Sequence, residues 1–256
     1  MNNIPYLHLL PENCYSLRKV RIGQNGDGGY IIPQEILKDI EEVITFGVND
    51  EDSFEIHLSS SLGRKVPFTL CDPFCGYTAR PGNEEFLFKS LGLGKETKED
   101  EKMISWPEFR RTFLQTKEKG EGIFLKVDIE YAEWDSFECL QAADFEGVEI
   151  LVIEFHSLLS KFEDREKQCK VLKTLCDLFH LYHLHANNNG YLFTNEILGY
   201  LPDVVECTFI SKKWAAKHGH TFVKRVQPYP EELDQPCHPI KVDPMIHWWH
   251  SINFQQ

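Results

Sequence analysis

The sequence predicts an α/β fold in which a mostly parallel sheet is covered by helices on both faces. Two observations carry this expectation. Short, continuous apolar runs alternate with segments of helical spacing, the pattern of strands buried on both faces by crossover helices. Three of the four clearest strand ends are acidic: the runs close on Gly47, Asp72, Asp128 and Glu154. In sheets of this kind ligands sit beyond the carboxyl ends of the strands. With 256 residues the chain is long enough for one sizeable core, and we expect a single domain: an N-terminal cap segment (1–40), a core (41–212) and a C-terminal extension (213–256).

The elements follow in order. Residues 43–47 read as a buried strand. Residues 52–62 then place Phe54, Leu58 and Leu62 on one helical face, with Asp50 or Asp52 as the N-cap. Residues 67–72 form a second strand ending in a carboxylate. Residues 80–101 are polar and glycine-containing and read as irregular, with a short strand before Ile104. A helix is expected over 106–119, with Pro107 tolerated in its first turn. The clearest strand is 123–128, followed by a helix over 132–143 that turns Phe137 and Leu140 inward. A strand over 149–154, a long amphipathic helix over 162–180, and strands over 181–186 and 204–210 complete the series. Asn187, Asn188, Asn189 and Gly190 read as a turn.

Composition narrows the function classes. The net charge is -13 and the pI about 5.3. No strongly basic run offsets this, which disfavours a nucleic-acid acceptor. The eight cysteines are scattered without paired CxxC knuckles, so they are expected as reduced thiols in a cytoplasmic protein. No signal peptide is evident, and no run approaches the ~18 apolar residues of a membrane span.

Four segments carry a resemblance. They are Arg21-Ile-Gly-Gln-Asn-Gly-Asp-Gly-Gly-Tyr-Ile-Ile-Pro33, Phe46-Gly-Val-Asn-Asp-Glu-Asp-Ser-Phe-Glu55, Leu125-Lys-Val-Asp-Ile-Glu-Tyr-Ala-Glu-Trp134 and Leu151-Val-Ile-Glu-Phe-His156. In order and spacing they resemble the FkbM-like and methyltransferase-like group of S-adenosylmethionine (SAM)-dependent methyltransferases over roughly residues 20 to 210. The resemblance implies a Rossmann-like class I methyltransferase fold: a seven-stranded sheet with a reversed last strand. It also implies SAM as methyl donor and an oxygen acceptor on a sugar or small metabolite.

Each segment has its own physical reading. A glycine at position 47 lets backbone approach a ligand closely. The resemblance places the SAM amino-acid moiety at this turn, with Asn49, Asp50 and Ser53 as polar contacts in place of a glycine-rich loop. Asp72 is a strand-end carboxylate able to accept ribose hydroxyls, a property that suits SAM and NAD alike. Asp27, Gly28 and Gly29 form a turn that, by the resemblance, helps close the cofactor site, with Arg21 meeting a carboxylate or the acceptor.

Alternation sends Lys126 and Asp128 to one side of their strand. Asp128 is expected to hold the SAM amine, orient the acceptor or bind a metal. Glu130, Tyr131 and Asn187 are expected around the acceptor, and Tyr131 stands where the family commonly has glycine. Glu154, His156 and His185, with Asp128, are the candidates for handling the acceptor proton, since imidazole titrates near neutral pH. Asp128, Glu154 and His185 are also a possible set for Mg²⁺ or Mn²⁺. Two other readings stay open on the residues: an NAD-dependent oxidoreductase or epimerase, against which the missing G-x-G-x-x-G counts, and a metal-dependent hydrolase. A non-catalytic SAM-binding member and a homodimer are further possibilities. The aromatic tail, His247-Trp248-Trp249-His250, reads as a packed C-terminal segment.

Overall fold

A computed structural model describes residues 4–76, 82–114, 121–158, 164–196, 199–224, 229–244 and 246. Seven strands form the central sheet: β1 (Glu42–Phe46), β2 (Phe68–Cys71), β3 (Leu87–Lys89), β4 (Ile123–Val127), β5 (Val148–Phe155), β6 (Phe179–Ala186) and β7 (Val205–Ser211). Their spatial order is β6-β7-β5-β4-β1-β2-β3. The pairs β5·β4, β4·β1, β1·β2 and β2·β3 are parallel, whereas β7 runs antiparallel to both β5 and β6. This is the mostly parallel α/β sheet that the strand pattern predicts, with the reversed last strand that the resemblance implies.

Alternation along the strands divides the core in two. On one face Ile123, Leu125, Val127, Leu151, Ile153 and Phe155 join a cluster with Trp106 and Phe109 of α2 (Trp106–Phe113), Trp134 and Phe137 of α3 (Glu133–Phe137), and Leu172 and Leu175 of α4 (Arg165–Leu178). On the other, Phe124, Ile150 and Val152 pack with Phe54 and Leu58 of α1 (Ser53–Leu62) and Trp214 of α5 (Lys212–Lys217). Each fully buried large apolar side chain is worth about 1.5–3 kcal/mol, so both layers hold the sheet between them.

Several boundaries differ from expectation. The helix predicted over 132–143 is only the five-residue α3, followed by a 3₁₀ turn at Ala142–Phe145. Gln141 and Asp144 form a capping box that starts this second turn afresh. α4 begins after Asp164, whose carboxylate accepts from the backbone N–H groups of Glu166 and Lys167, and it yields to β6 at Phe179, before the predicted end. Asp52 does stand at the N-cap of α1, but its side chain makes no cap bond; it bonds the Asn83 side chain instead. β3 falls in the segment expected to be irregular. It is a three-residue edge strand with no fully buried position, so no apolar run marks it. The short strand before Ile104 exists as Met103–Ser105, paired parallel with Gly92–Gly94.

Two hairpins were not anticipated. Lys19–Ile22 pairs with Tyr30–Pro33, and Thr208 Oγ1 of β7 donates to the Ile31 carbonyl at 2.7 Å, fixing this hairpin on the sheet. Leu192–Asn195 pairs with Gly199–Pro202. All eight cysteines are free. Among the described residues no helix is long and apolar enough to cross a membrane. The aromatic tail at 247–250 lies outside the described residues.

Candidate active site

The carboxyl ends of β1, β2, β4 and β5 open onto one cavity of about 790 Å³. Gly47 sets its floor. Its φ is 82°, and a Cβ there would lie 1.5 Å from the Asp128 carbonyl oxygen. The chain passes so close because Asp128 donates its backbone N–H to the Phe46 carbonyl at 3.0 Å, which locks the ends of β1 and β4 together. Only glycine satisfies both the conformation and the clearance.

On one side of Gly47, the Asp72 carboxylate accepts from the backbone N–H groups of Asn49 (3.0 Å), Phe74 (2.8 Å) and Cys75 (3.0 Å). It thereby staples the β1 and β2 turns while lining the cavity. A carboxylate has about four acceptor sites, so capacity remains for a ligand hydroxyl. Asn49 and Ser53 line the same side.

On the other side, Asp128 accepts from the Tyr30 hydroxyl at 3.1 Å, and Asn187 donates its amide to Glu154 Oε1 at 2.6 Å. All of these except Tyr30 line the cavity, together with Asp27 and Gly28 from the first hairpin turn. Asp27, Glu154 and Glu206 bring carboxylate oxygens within 4.8 Å of one another. Burial first, and then the charges of Asp128, Glu206 and Asp27, push the Glu154 carboxyl well above the usual carboxylate range. These surroundings favour the protonated form of Glu154 relative to an ordinary carboxyl. Asp27 is raised too, by loss of solvation and by Glu206 and Asp128.

His156 sits at the lip. Its Nδ1 lies 2.9 Å from Glu133 Oε1, and its Nε2 lies 3.5 Å from Glu130 Oε2. The Trp134 indole N–H donates to the His156 carbonyl at 2.6 Å, and the Tyr131 ring packs 5.0 Å from the imidazole. Burial works to lower the imidazole pKa. The Glu133 hydrogen bond and the charges of Glu133, Asp128 and Glu130 more than offset this and raise it. Asn49, Glu130 and Tyr131, all at the cavity, have φ of 51°, 51° and 78°. Non-glycine residues in this left-handed region carry about 1–2 kcal/mol each, so backbone strain is concentrated here.

Four sequence candidates stand elsewhere. Asp50 and Gly29 are not among the cavity-lining residues; a Cβ on Gly29 would meet the Gln24 carbonyl oxygen at 2.3 Å. Arg21 spends its guanidinium on the carbonyls of Gly26 (2.7 Å) and Gln24 (3.3 Å), bracing the turn that carries Asp27. His185 also lies off the cavity. Its Nδ1 is 2.7 Å from Glu206 and its Nε2 is 3.5 Å from Asp243. Burial opposes protonation, but the hydrogen bonds to Asp243 and Glu206 outweigh it and bring the pKa to about 10. A ring that stays protonated up to about pH 10 and does not line the cavity is not placed to take a proton from an acceptor. Nor does the expected metal set assemble: Asp128, Glu154 and His185 do not come within 4.8 Å as a group, whereas Asp128, Glu130 and His156 do.

Glu133 and Glu206 were not among the site candidates. Glu133 follows the Glu130-Tyr131 turn and is fully buried. Glu206 faces Glu154 on one side and His185 on the other in strand register. The signal for Glu206 was the reversed strand: β7 starts, rather than ends, at the edge where the parallel strands finish.

A family model described as a methyltransferase domain matches residues 6–211. Among curated proteins none matches the chain. One similar solved structure is the Methanococcus jannaschii fibrillarin pre-rRNA processing protein, 8% identical over 78% of this chain and 84% of that chain, with a TM-score of 0.37. A likeness this slight carries no functional weight.

Proposed function

The chain belongs to the methyltransferase-domain family, and we propose from this premise that it is a SAM-dependent O-methyltransferase acting on a hydroxyl of a sugar or other small polar metabolite. One observation carries the proposal: the buried Glu133–His156 pair opens onto the same cavity as Gly47 and Asp72.

The residues present suit the methyl donor. The cavity volume lies within the range of cofactor sites, about 300–1,000 Å³. Asp72 offers acceptor capacity for ribose hydroxyls at the end of β2. The carboxylates of Asp128 and Glu130 complement a ligand bearing ammonium and sulfonium charges. Bound there, SAM supplies a sulfonium methyl group for in-line displacement by a nucleophile.

The chain's part is alignment and proton handling. Glu133 engages Nδ1 of His156, fixing the tautomer that presents Nε2 toward the cavity. Nε2 takes the proton of the acceptor hydroxyl, and the Glu133 carboxylate stabilises the resulting imidazolium. Glu154, anchored by Asn187, can in its protonated form donate a hydrogen bond to an acceptor oxygen. Tyr131, 58% exposed, offers a ring face at the mouth to the apolar face of a sugar.

Titration calorimetry with SAM, followed by an acceptor screen on wild type and His156→Asn, tests this reading. Binding of SAM by both proteins, with turnover by the wild type alone, is the expected result. Equal turnover by the two proteins would remove His156 from the proposal.

A further inference from the structure

We propose that His185, Glu206 and Cys237 form a Zn²⁺ site behind the acidic wall of the cavity, one that fastens the C-terminal segment to the sheet. The three side chains come from β6, β7 and the segment after β7, and each is at least 94% buried, with relative exposures of 2%, 4% and 6%. One ligand atom from each lies within 4.8 Å of the others. His185 and Glu206 are cross-strand partners, so two of the donors are placed by sheet register rather than by a loop.

The donor set selects the metal. Imidazole nitrogen, thiol sulfur and carboxylate oxygen together suit Zn²⁺, whereas Mg²⁺ and Ca²⁺ prefer oxygen alone. His185 presents Nδ1 to Glu206 at 2.7 Å, and the Cys237 thiol lies 3.4 Å from the other Glu206 oxygen. The opposite ring nitrogen, Nε2, faces Asp243 at 3.5 Å. A carboxylate on the far nitrogen of a ligating histidine is the usual outer support of a zinc site, since it fixes the ring and raises its basicity. The other Asp243 oxygen, Oδ1, is buried and has no hydrogen-bond partner among the described residues.

Charge points the same way. Glu206 and Asp243 set two carboxylates against a single imidazole, so a cation is favoured between them. Binding exchanges protons for the ion: Zn²⁺ enters, the Cys237 thiol proton and any proton on His185 Nδ1 leave to solvent, and nitrogen, thiolate sulfur and carboxylate oxygen become ligands, with water as the fourth. This exchange makes affinity rise with pH. The site is separate from the Asp128–Glu130–His156 group at the cavity lip and does not depend on the methyl-transfer reading.

The test is cobalt substitution of the full chain, purified without a histidine tag and stripped with chelator. Co²⁺ should bind at about one equivalent with tetrahedral visible bands and a thiolate-to-cobalt charge-transfer band, both displaced by Zn²⁺. The charge-transfer band should vanish in Cys237→Ser and persist in His156→Asn. Added Zn²⁺ should raise the Tm of the wild type and not that of Glu206→Gln. Folded wild type with no charge-transfer band would overturn the proposal, as would a band that survives Cys237→Ser. If Cys237→Ser does not fold, the wild-type spectrum and the Glu206→Gln melting curve decide.

Discussion

Oε1 of Glu133 stands 2.9 Å from Nδ1 of His156, and both side chains are buried at the edge of the cavity. The contact commits Nδ1 to a buried carboxylate, while Nε2 faces only the exposed Glu130 carboxylate, 3.5 Å away, which an acceptor hydroxyl can displace. Removing the base, in His156→Asn, should lower kcat by about 10²–10⁴-fold while SAM affinity holds. Glu133→Gln should lower the His156 pKa, read by NMR, because the charge that raises it is gone. The acid limb of the activity profile should move to lower pH with it. An unchanged imidazole pKa in Glu133→Gln would show that this contact does not set the titration.

Glu154 leads to a prediction about stability. Its folded-state pKa is raised, so the folded protein holds a proton that the unfolded chain releases above its ordinary carboxylate pKa. That difference costs stability at neutral pH and vanishes at low pH, where both states are protonated. Glu154→Gln keeps the acceptor for Asn187 and should raise Tm at pH 7.5, by about 2–4 °C for each kcal/mol recovered. Near pH 4 the gain should shrink. Melting curves at the two pH values check this; an equal gain at both would contradict it.

Much of the architecture was legible in the sequence, and the reasons are physical. β4 and β5 are continuous apolar runs because both faces are covered, and their ends at Asp128 and Glu154 were readable for the same reason. β3 was not legible: a three-residue edge strand leaves no apolar pattern. Nor was the short α3, because the capping box at Gln141 and Asp144 restarts the chain where apolar spacing alone continues a helix. At the cavity, Gly47, Asp72 and Asp128 line the wall because strand-end position alone brings them there. His185 was expected at the cavity and lies off it, against Glu206 and Asp243, which are 21 and 58 residues along the chain and are brought to it only by the fold.

His185 makes a prediction of opposite sign. Its pKa rises from an ordinary value of about 6.5 to about 10 on folding. A raised histidine contributes stability that is complete below about pH 6.5 and is lost as pH climbs toward 10. In chelator, unfolding free energy should therefore fall between pH 7 and 10. His185→Asn should cost about 3 kcal/mol at pH 7, the scale of a broken buried pair, and flatten that slope. A slope retained in the variant would assign the pH dependence to other groups.

Tyr131 stands in left-handed backbone, with φ of 78° and most of its ring exposed. Tyr131→Gly should relieve about 1 kcal/mol of strain, partly offset by the greater freedom of glycine in the unfolded chain. If the ring contacts acceptor, the same change raises KM for acceptor and leaves SAM affinity alone. Paired thermal melts and acceptor kinetics separate the two effects.

Gly47 offers no such freedom. Gly47→Ala pushes a methyl onto the Asp128 carbonyl, at a left-handed φ. The β1 and β4 ends must part, and we expect a loss of about 3 kcal/mol or more together with loss of SAM binding. A stable variant that binds SAM normally would mean the turn is not the floor of the donor site.

The central claim is that the cavity over Gly47 and Asp72 is a SAM site, and calorimetric titration of the folded chain with SAM and with S-adenosylhomocysteine tests it most directly. Micromolar binding of both, weakened at least tenfold in Asp72→Ala, is the predicted result. No binding of either ligand by the folded wild type would contradict the account.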